Sequence, residues 1–392
     1  MNNLGYVYAS EFNNRGWPVK LLIDQSAKFQ LDRPESMNAE LANNYPDWIE
    51  ELSVLGARNY YQLRFPLFFF RKLIKKLNSY DVVVLNGIWL PLAPYIKKNI
   101  RVVLLFAGFD LDVAANDKKA GFLADMFLAG KKKLRLFRPL VKAAYAYTIR
   151  QQQGGLRRGD AINYFPTGIN PEGDGIIDDV KAGQSFERLE LRGFPVNDYP
   201  YIDNYTEKKV FTILNFTRFF FTDNLRNDNK RNDIMISGIA QFIRSNNITE
   251  SDIVIEFYEK GNDVDVAKKL IESYGIESYI TWMQPVSQTI LDEKIKSCHV
   301  AFDQLGNQWI GYGIAVMLLG KPVIANSRPE IFETITGEKS PVCQATTAED
   351  VAKWLKLLFY NRELGRLTGK ACSDYYRRHH NIDNTLDFIA GR

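Results

Sequence analysis

Three glycines in the last third of the chain, Gly306, Gly311 and Gly313, fall between a short apolar run and an apolar helical segment. Glycine carries no side chain, so a ligand can approach its backbone closely. The N–H groups at the start of the following helix attract negative charge. We therefore predict an anion-binding turn here. The alternative is a strand-to-helix loop that needs glycine only for its geometry.

The apolar run before this turn belongs to a series of strand-like segments that alternate with helix-like segments along the chain. Such alternation is typical of α/β proteins with parallel sheets, which bind ligands at the carboxyl ends of their strands. The predicted strands are 19–23, 81–85, 101–106, 210–215, 253–258, 280–283, 300–302 and 322–325, and the main predicted helices are 233–245, 348–359 and 362–378.

A segment rich in Pro, Asn, Asp and Tyr, residues 195–208, interrupts this alternation near the middle of the chain. Such composition is typical of a linker, and 392 residues are enough for two hydrophobic cores. We therefore predict an N-terminal domain over 1–205 and a C-terminal domain over 206–392.

The glycine turn, its helix and the run Gly320-Lys321-Pro322-Val323-Ile324 together resemble the donor site of GT-B glycosyltransferases of family GT4. The resemblance is strong over 209–375 and looser over 1–208. It implies an α/β fold of the GT-B type, in which two Rossmann-like domains face each other across a cleft. The N-terminal domain would bind the acceptor, and the C-terminal domain would bind a nucleotide sugar.

The resemblance also exposes an anomaly at the start of the chain. GT-B chains usually open with a strand, whereas the segment from Leu4 already has the character of the first helix. Either that strand lies upstream of Met1, or the N-terminal sheet lacks it. We favour the first interpretation, because the loss of a central parallel strand exposes a large apolar area.

Two basic residues of the C-terminal domain match the pair that neutralises the donor diphosphate in the family. Arg218 follows the strand at 210–215, and Lys230 stands at the next helix start. Cations stabilise the charge on a departing diphosphate without transferring a proton. Arg226 and Arg231 are rivals for this role, because an insertion precedes Lys230, and a solvated basic loop is the alternative.

The resemblance further implies that the glycine turn contacts the donor phosphate or sugar, while an acidic group ahead of it holds sugar hydroxyls. Two loops earlier in the domain, 258–262 and 282–285, each follow a strand and would face the cleft, and the resemblance implies that the second lies near the nucleobase through backbone contacts. The donor-binding residues implied are Gln304, Gly311, Tyr312 and Gly313 in the turn and Gly261 and Gln284 in the two preceding loops, with Asp303 at the catalytic centre.

The sequence departs from the family at two positions. GT4 enzymes carry two glutamates eight residues apart, of which the second usually binds the ribose hydroxyls. Asn307 and Ala315 occupy these positions here. The mode of ribose binding is therefore open, and so is the degree of activity.

Two loops of the N-terminal domain are the expected acceptor side. Gly108 and Asp110 follow the strand at 101–106 and resemble the family's GSD loop, while Asn86 and Gly87 form an analogous loop. Asp110 is a second candidate catalytic carboxylate, because it could accept the acceptor's proton. Capping of the next helix is the alternative role of this side chain.

The supply of other catalytic groups is small. No histidine precedes His299, and the shortage of general bases favours a retaining reaction, in which the departing phosphate assists. Asp110-Leu111-Asp112 matches the DxD pattern of metal-binding motifs, but it lies in a loop of the N-terminal domain, where GT-B chemistry would not use such a motif. We expect no metal and no cofactor beyond the donor substrate.

Composition places the chain in the reducing cytoplasm. Its three cysteines are widely spaced, which does not fit a disulfide framework. The first residues of the sequence lack the basic-then-apolar pattern of a signal peptide, and the sequence contains no run of about 18 apolar residues. Residues 65–77 and 131–158 are rich in basic and aromatic side chains, so they fit the surface of an anionic membrane. Their alternative is a solvated helix face, and no motif accompanies the charge to indicate nucleic acid.

The sequence therefore predicts a cytoplasmic, metal-independent glycosyltransferase, peripheral on the inner face of the membrane if those segments dock there. It would transfer a sugar from a nucleotide donor to a glycan or lipid-linked saccharide in capsule, O-antigen or other surface-polysaccharide assembly. A non-catalytic GT-B protein that has lost the glutamates is the main alternative. A sugar-nucleotide epimerase of the same fold is a weaker one, because the chain is short of acidic and histidine groups.

Overall fold

The computed structural model describes residues 4–25, 33–42, 44–55, 62–205, 209–223, 228–307 and 313–392. The chain divides into two compact units. The N-terminal unit comprises residues 2–192 and 383–392, and the C-terminal unit comprises residues 193–382.

The division falls at Gly193, ahead of the segment that was predicted as a linker. That segment is polar in composition, yet its Tyr199 and Tyr205 are 8% and 2% exposed. Arg377 donates a hydrogen bond to the carbonyl oxygen of Tyr199 at 2.5 Å. The segment therefore packs as part of the C-terminal unit.

Among the described residues of the N-terminal unit, six strands build two parallel sheets. The first pairs β1 with β2, and the second has the order β3-β4-β5-β6. The strands are β1 (Leu21–Gln25), β2 (Ile49–Leu55), β3 (Val82–Asn86), β4 (Arg101–Leu105), β5 (Ala161–Asn163) and β6 (Glu187–Leu189).

The second sheet forms because β3 and β4 are runs of valine and leucine, which favour strands that are covered on both faces. Val102, Val103 and Leu104 are fully buried. The pairing of Asn86 with Leu105 places the ends of both strands side by side. The loops that follow these strands therefore start from the same edge of the sheet.

Helices surround these sheets. The α-helices are α1 (Leu4–Asn14), α2 (Pro66–Phe69), α3 (Arg71–Leu77), α4 (Phe109–Asp112), α5 (Ala120–Leu128), α6 (Arg138–Arg158) and α7 (Pro171–Lys181), joined by the C-terminal helix Ile382–Ala390. The 3-10 helices are Pro34–Ser36, Ala39–Ala42, Gly87–Tyr95, Asp117–Lys119 and Lys132–Phe137.

The α6 helix packs closely on the 3-10 helix Gly87–Tyr95. A Cβ atom on Gly155 of α6 would lie 2.1 Å from the carbonyl oxygen of Leu90. Only glycine permits this approach of the two backbones.

In the described part of the C-terminal unit, the strands form a six-stranded parallel sheet with the order β12-β11-β10-β7-β8-β9. Its strands are β7 (Phe211–Asn215), β8 (Ile253–Tyr258), β9 (Ile280–Met283), β10 (Val300–Phe302), β11 (Val323–Ala325) and β12 (Cys343–Gln344). Counted within the unit, this is the doubly wound order 3-2-1-4-5-6. The strand order reverses between β7 and β10, and ligands of such sheets bind at the carboxyl side of that reversal.

Apolar helix faces cover both sides of this sheet. In the first of its helices, Ile236, Ile239 and Ile243 recur at helical spacing and are 0–5% exposed. The α-helices are α8 (Asn232–Ser245), α9 (Val264–Ser273), α10 (Gln288–Ser297), α11 (Gly313–Leu318), α12 (Pro329–Thr336), α13 (Ala348–Tyr360) and α14 (Arg362–His379), and the 3-10 helices are Val196–Asp198 and Glu277–Tyr279.

Candidate functional site

The switch point of the C-terminal sheet carries the residues that the sequence singled out. Phe302 of β10 pairs with Asn215 of β7, so the two strands end together. Arg218 follows β7, while Asp303 and Gln304 follow β10. The topology therefore places the predicted cation and the predicted polar pair on adjacent loops.

Lys230 connects these two loops. Its Nζ atom donates a hydrogen bond to Oε1 of Gln304 at 2.5 Å. Its backbone N–H donates to the carbonyl oxygen of Phe220 at 2.7 Å, and its carbonyl oxygen accepts from the N–H of Leu305 at 3.1 Å. The Lys230 ammonium group is therefore positioned at the end of β10 by the backbone hydrogen bonds of Lys230 as well as by the side-chain hydrogen bond to Gln304.

Gly306 explains why the backbone can run this way. A Cβ atom at this position would lie 1.9 Å from the carbonyl oxygen of Asn229. Asn229 in turn donates through Nδ2 to the carbonyl oxygens of Phe221 and Asp223 at 3.1 and 3.0 Å. Close backbone approach at Gly306 thus fixes the segment that presents Lys230.

Asp303 follows β10 and is hydrogen-bonded to the start of α11. Its side chain is 4% exposed, and it accepts hydrogen bonds from the N–H groups of Gln304 at 2.8 Å and Gly313 at 2.9 Å. Burial raises the pKa of this carboxyl, whereas the two N–H groups and the nearby charge of Lys230 lower it. The carboxylate ties the start of α11 to the end of β10. Gly311 and Tyr312 lie outside the described residues.

The side chain of Arg218 is available to bind a ligand. It is exposed, and it forms no ion pair or side-chain hydrogen bond with other described residues. Arg231, in contrast, pairs with Asp233 at 3.2 Å, and Arg226 lies outside the described residues. Just before Arg218, the Thr217 hydroxyl donates to Oδ1 of Asn215 at 2.6 Å and fixes the base of the loop.

The two loops expected to face the cleft, of which the second was expected near the nucleobase, also make contacts within the unit. Gly261 has a φ of 114°, and a Cβ atom there would lie 2.3 Å from the carbonyl oxygen of Phe219. Glycine is therefore required at position 261, where the loop after β8 packs against the backbone of the loop after β7. Gln284 donates through Nε2 to Oε2 of Glu259 at 2.6 Å, in an exposed contact.

The positions of the two missing glutamates have different surroundings. Ala315 is fully buried in α11, whereas Asn307 is exposed. The guanidinium of Arg328 donates to the carbonyl oxygen of Asn307 at 2.8 Å and pairs with Glu330 at 2.5 Å. The sequence did not indicate Arg328, because nothing in the strand before it predicts that its side chain contacts Asn307.

The N-terminal unit brings its two predicted loops together through a residue that the sequence did not suggest. Gln152 of α6 donates through Nε2 to the carbonyl oxygen of Gly87 at 2.8 Å and to that of Asp110 at 3.3 Å. Asn86, next to Gly87, is exposed. The sequence did not indicate Gln152, because it lies in the segment 131–158, which was interpreted from its basic residues.

Asp110 folds back onto its own turn. Its carboxylate accepts hydrogen bonds from the N–H groups of Ala107 at 3.0 Å and Gly108 at 2.9 Å. Gly108 has a φ of 122°, which favours glycine. Burial raises the pKa of Asp110, and these N–H groups oppose that rise. The carboxylate thus hydrogen-bonds to the turn that precedes the short helix Phe109–Asp112, and no side chain at Gly108 caps that helix.

Asp112 belongs to a buried polar network. The sequence indicated this residue only as the second aspartate of the DxD pattern at 110–112. The Tyr164 hydroxyl donates a short hydrogen bond to Oδ1 of Asp112 and accepts one from Nδ2 of Asn170 at 2.6 Å. Burial raises the pKa of Asp112 from 3.8 to about 7. Within the described ranges, no three His, Cys, Asp or Glu side chains cluster as a metal site would require.

This pKa predicts a pH dependence of stability. Because the folded state favours the protonated carboxyl, its stabilising contribution is complete below about pH 4 and is lost as the pH rises through about 7. We expect Asp112→Asn, which stays neutral, to gain roughly 2 kcal/mol in free energy of unfolding relative to the parent chain between pH 5 and pH 8. Urea denaturation at both pH values measures it. Asp178→Asn, at an exposed carboxylate of α7, serves as the control, and an equal pH dependence in Asp112→Asn and the parent would contradict the assignment.

Comparison with known proteins adds information about the fold. No protein-family model matches the sequence, and a search of curated proteins found no match. Sucrose-phosphate synthase from Thermosynechococcus elongatus has a TM-score of 0.61 at 12% identity, covering 98% of this chain and 90% of its own. Trehalose-6-phosphate synthase OtsA has a TM-score of 0.61 at 10% identity, covering 99% and 93%. Anabaena HepE, solved in complex with UDP and glucose, has a TM-score of 0.57 at 11% identity, covering 95% and 99%.

These similar structures are GT-B glycosyltransferases, and the similarity extends over nearly the whole length of this chain. At such low identity it establishes the fold. The predicted fold class is thereby confirmed, while membership of family GT4 stays a prediction. With parallel, helix-covered sheets in both units, the chain has the GT-B fold of two Rossmann-like domains.

Proposed function

We propose that this protein is a glycosyltransferase that uses a nucleoside-diphosphate sugar as donor and a saccharide as acceptor. The observation that carries the proposal is the pair of cations at the switch point of the C-terminal sheet. Arg218 is exposed there, and Lys230 is held at the end of β10 by Gln304. Anabaena HepE, a protein of the same fold, was solved with UDP and glucose bound, which supports a nucleotide sugar as the ligand.

The chemistry of the reaction needs such cations. Transfer breaks the bond between the anomeric carbon and a diphosphate oxygen, and it forms a bond to an acceptor oxygen. Negative charge therefore develops on the departing diphosphate. Arg218 and Lys230 stabilise that charge in this proposal without donating a proton, so the step requires no metal. Both carboxylate oxygens of Asp303 accept backbone N–H groups, from Gln304 and Gly313, so in this proposal Asp303 holds the start of α11 rather than contacting the reacting atoms.

The proton of the acceptor hydroxyl must also be accommodated. Asp110 already accepts the N–H groups of Ala107 and Gly108 with its carboxylate, so it is a poor base for a ligand. This supports a retaining reaction, in which the departing diphosphate takes the proton. The substitutions at Asn307 and Ala315 favour one second candidate, a protein of the same fold that binds the donor without turnover.

A donor panel distinguishes the two candidates. UDP-, GDP-, ADP- and dTDP-sugars are incubated with the purified chain, with and without a mixed saccharide acceptor pool, and release of the nucleoside diphosphate is followed. Release that the acceptor accelerates is the expected result. Donor binding in a thermal-shift assay without any release would favour the non-catalytic protein, and no binding of any donor would overturn both.

We further propose that the acceptor is lipid-linked and that the N-terminal unit docks on an anionic membrane. Two segments form one basic and aromatic surface, which we call the basic–aromatic surface and define as residues 65–77 and 131–147. Arg64 donates to the Thr148 hydroxyl at 2.7 Å, and the rings of Phe65 and Tyr147 lie 6.1 Å apart. The segments therefore adjoin each other.

This surface exposes large apolar side chains beside cations. Residues 131–140 are all exposed and include Lys131, Lys132, Lys133 and Arg135. The most exposed apolar side chains of the surface are Phe65 at 58%, Leu67 at 58%, Phe68 at 81%, Leu136 at 89% and Leu140 at 68%. Apolar groups ringed by cations suit the headgroup region of an anionic bilayer, which would make the protein peripheral on a membrane. Among the described residues, no helix has the length and hydrophobicity of a membrane span.

Vesicle flotation tests the membrane proposal. We expect the chain to float with vesicles of phosphatidylcholine and phosphatidylglycerol and not with phosphatidylcholine alone. Each of Lys132→Gln and Lys133→Gln should weaken binding about fivefold, because each cation contributes roughly 1 kcal/mol near anionic lipid. Leu136→Asn should weaken it further. The control is Leu367→Asn, at a leucine of the C-terminal unit that is 50% exposed. Equal binding of Leu136→Asn and the parent chain would contradict the proposal.

A further inference from the structure

A third cation, Arg328, lies at the glycine turn of the C-terminal unit. It follows β11, the strand that pairs with β10. Its Nη1 atom donates a hydrogen bond to the carbonyl oxygen of Asn307 at 2.8 Å. Two residues earlier, the N–H of Asn326 donates to the carbonyl oxygen of Gln304 at 3.1 Å. The loop after β11 therefore lies beside the loop after β10, which carries the predicted donor contacts.

The backbone of Arg328 has a conformation that a bulky residue rarely adopts. Its φ is 46°, in the left-handed region that favours glycine. Such a conformation persists only where the surrounding structure imposes it. Here Gln344 of β12 donates through Nε2 to Oδ1 of Asn326 at 3.0 Å, and its Oε1 accepts from the N–H and hydroxyl of Ser327 at 2.7 and 2.8 Å. This buried polar loop fixes the point from which the Arg328 side chain extends.

The guanidinium of Arg328 has hydrogen-bonding capacity to spare. Its Nε atom pairs with Glu330 at 2.5 Å, but the Glu330 side chain is 59% exposed, and exposed ion pairs contribute little because water screens them. Its Nη2 atom forms no hydrogen bond with the described residues. Arg328 can therefore donate to a ligand while its hydrogen bond to Asn307 keeps the guanidinium in place.

Arg328 and Lys230 are attached to the same short segment of chain. Lys230 is hydrogen-bonded to Gln304 and Leu305, whereas Arg328 is hydrogen-bonded to Asn307. The three residue steps from Gln304 to Asn307 span at most about 11 Å, which is the length scale of a phosphate and one sugar residue. A diphosphate that binds Lys230, as proposed above, therefore brings its sugar within reach of Arg328.

The charges around the turn indicate which sugar fits. Each phosphate of a nucleoside-diphosphate sugar carries one negative charge, and Arg218 and Lys230 match this pair. Arg328 adds a further positive charge. In the described residues 303–307 and 326–330 both carboxylates are engaged, because Asp303 accepts two backbone N–H groups and Glu330 pairs with Arg328. The turn is therefore better supplied to bind an anionic group on the sugar than to accept hydrogen bonds from sugar hydroxyls.

We propose that the donor sugar carries a carboxylate, as a hexuronic acid does at C6, and that Arg328 binds this group. The inference rests on the proposed function, since it assigns the sugar class of the same donor. A planar guanidinium suits a carboxylate because its N–H groups match the two oxygens in geometry and charge. Arg328 thus determines specificity in this proposal, and it does not contact the reacting atoms.

Matched donors measure the contribution of the carboxylate. UDP-glucuronate and UDP-glucose differ only at C6, as do GDP-mannuronate and GDP-mannose. The base that the donor panel selects sets the pair, and for ADP or dTDP the glucuronate and glucose donors are used. In calorimetric titration of the purified chain, we expect the uronate to bind about 10–100-fold more tightly than its neutral partner. The free diphosphate of that base is titrated as well, because its binding tests the proposed function separately.

Two variants test the residue. Arg328→Asn removes the guanidinium and suits the backbone, because asparagine tolerates a left-handed φ. It should weaken binding of the uronate donor at least tenfold, and it should change binding of the neutral donor and of the free diphosphate less than threefold. Glu330→Gln is the matched control, since it removes only the exposed partner of Arg328. It should bind the uronate as tightly as the parent chain or up to about fivefold more tightly.

Three outcomes would overturn this assignment while the proposed glycosyl transfer stands. These are equal binding of the uronate and neutral donors by the parent chain, equal weakening of all three ligands in Arg328→Asn, and weaker uronate binding in Glu330→Gln. Equal weakening would show that Arg328 only holds the turn. A parent chain that binds none of the free diphosphates would, by contrast, overturn the proposed function and this assignment with it.

Discussion

Replacement of Arg218 or Lys230 by alanine is expected to lower kcat/KM for the nucleotide-sugar donor about 10²–10³-fold. Both side chains lie at the carboxyl ends of β7 and β10, where charge develops on the departing diphosphate in the proposed reaction. The affinity for the free nucleoside diphosphate should fall as well, because a hydrogen bond to a charged partner contributes roughly 1.5–3 kcal/mol. Steady-state kinetics and calorimetric titration of the diphosphate measure the two effects.

Two control variants make this result specific. Lys269→Ala removes one positive charge from the exposed face of α9, and it should change kcat/KM less than threefold. Arg231→Asn removes the rival cation at a position whose φ is 53°, a conformation that asparagine tolerates. The account fails if Arg231→Asn abolishes donor binding while the two alanine variants bind normally.

Gly306→Ala is the second change with a large expected effect. The added Cβ would lie 1.9 Å from the carbonyl oxygen of Asn229, so the backbone that carries Lys230 must move. We expect a loss of about 1–3 kcal/mol in free energy of unfolding, and weaker diphosphate binding because Lys230 is displaced. Thermal unfolding and the calorimetric titration report on these separately.

Gly175→Ala provides the comparison for this variant. Gly175 lies within α7, has no left-handed backbone angle, and has no atom within 4 Å of the added Cβ. Alanine there should stabilise the N-terminal unit by about 0.5–1 kcal/mol, since it favours the helix. An unchanged Tm in Gly306→Ala would show that the close backbone approach does not constrain the loop.

Much of this architecture could be predicted from local sequence patterns. The strands at 253–258, 280–283 and 300–302 have the predicted bounds, because each is a short apolar run with turn residues on either side. The strand predicted at 19–23 lies two residues later, at Leu21–Gln25. By contrast, β2 escaped prediction, since its sequence Ile-Glu-Glu-Leu-Ser-Val-Leu carries adjacent charges. The short strands β5, β6 and β12 give too little periodicity to detect.

The candidate-site residues could be assigned to loops after strands from the sequence, whereas their contacts could not. Glycine and polar residues after apolar runs could be placed at the carboxyl ends of parallel strands, because that relation is local, whereas the reversal of strand order between β7 and β10 depends on the topology of the whole sheet. The hydrogen bond from Gly313 to Asp303, and the double contact of Gln152 with Gly87 and Asp110, depend on tertiary structure. A carboxylate that caps a turn and a carboxylate that binds a sugar have the same sequence signature. Only the geometry separates them.

A crystal structure with the bound nucleoside diphosphate tests the central claim most directly. The diphosphate that gives the largest thermal shift would be soaked or co-crystallised with the parent chain and with Lys230→Ala. The account predicts phosphate oxygens in hydrogen-bonding contact with Arg218 and Lys230 at the ends of β7 and β10, and no ordered diphosphate there in the variant. A diphosphate bound elsewhere in the parent chain, or bound unchanged without Lys230, would contradict it.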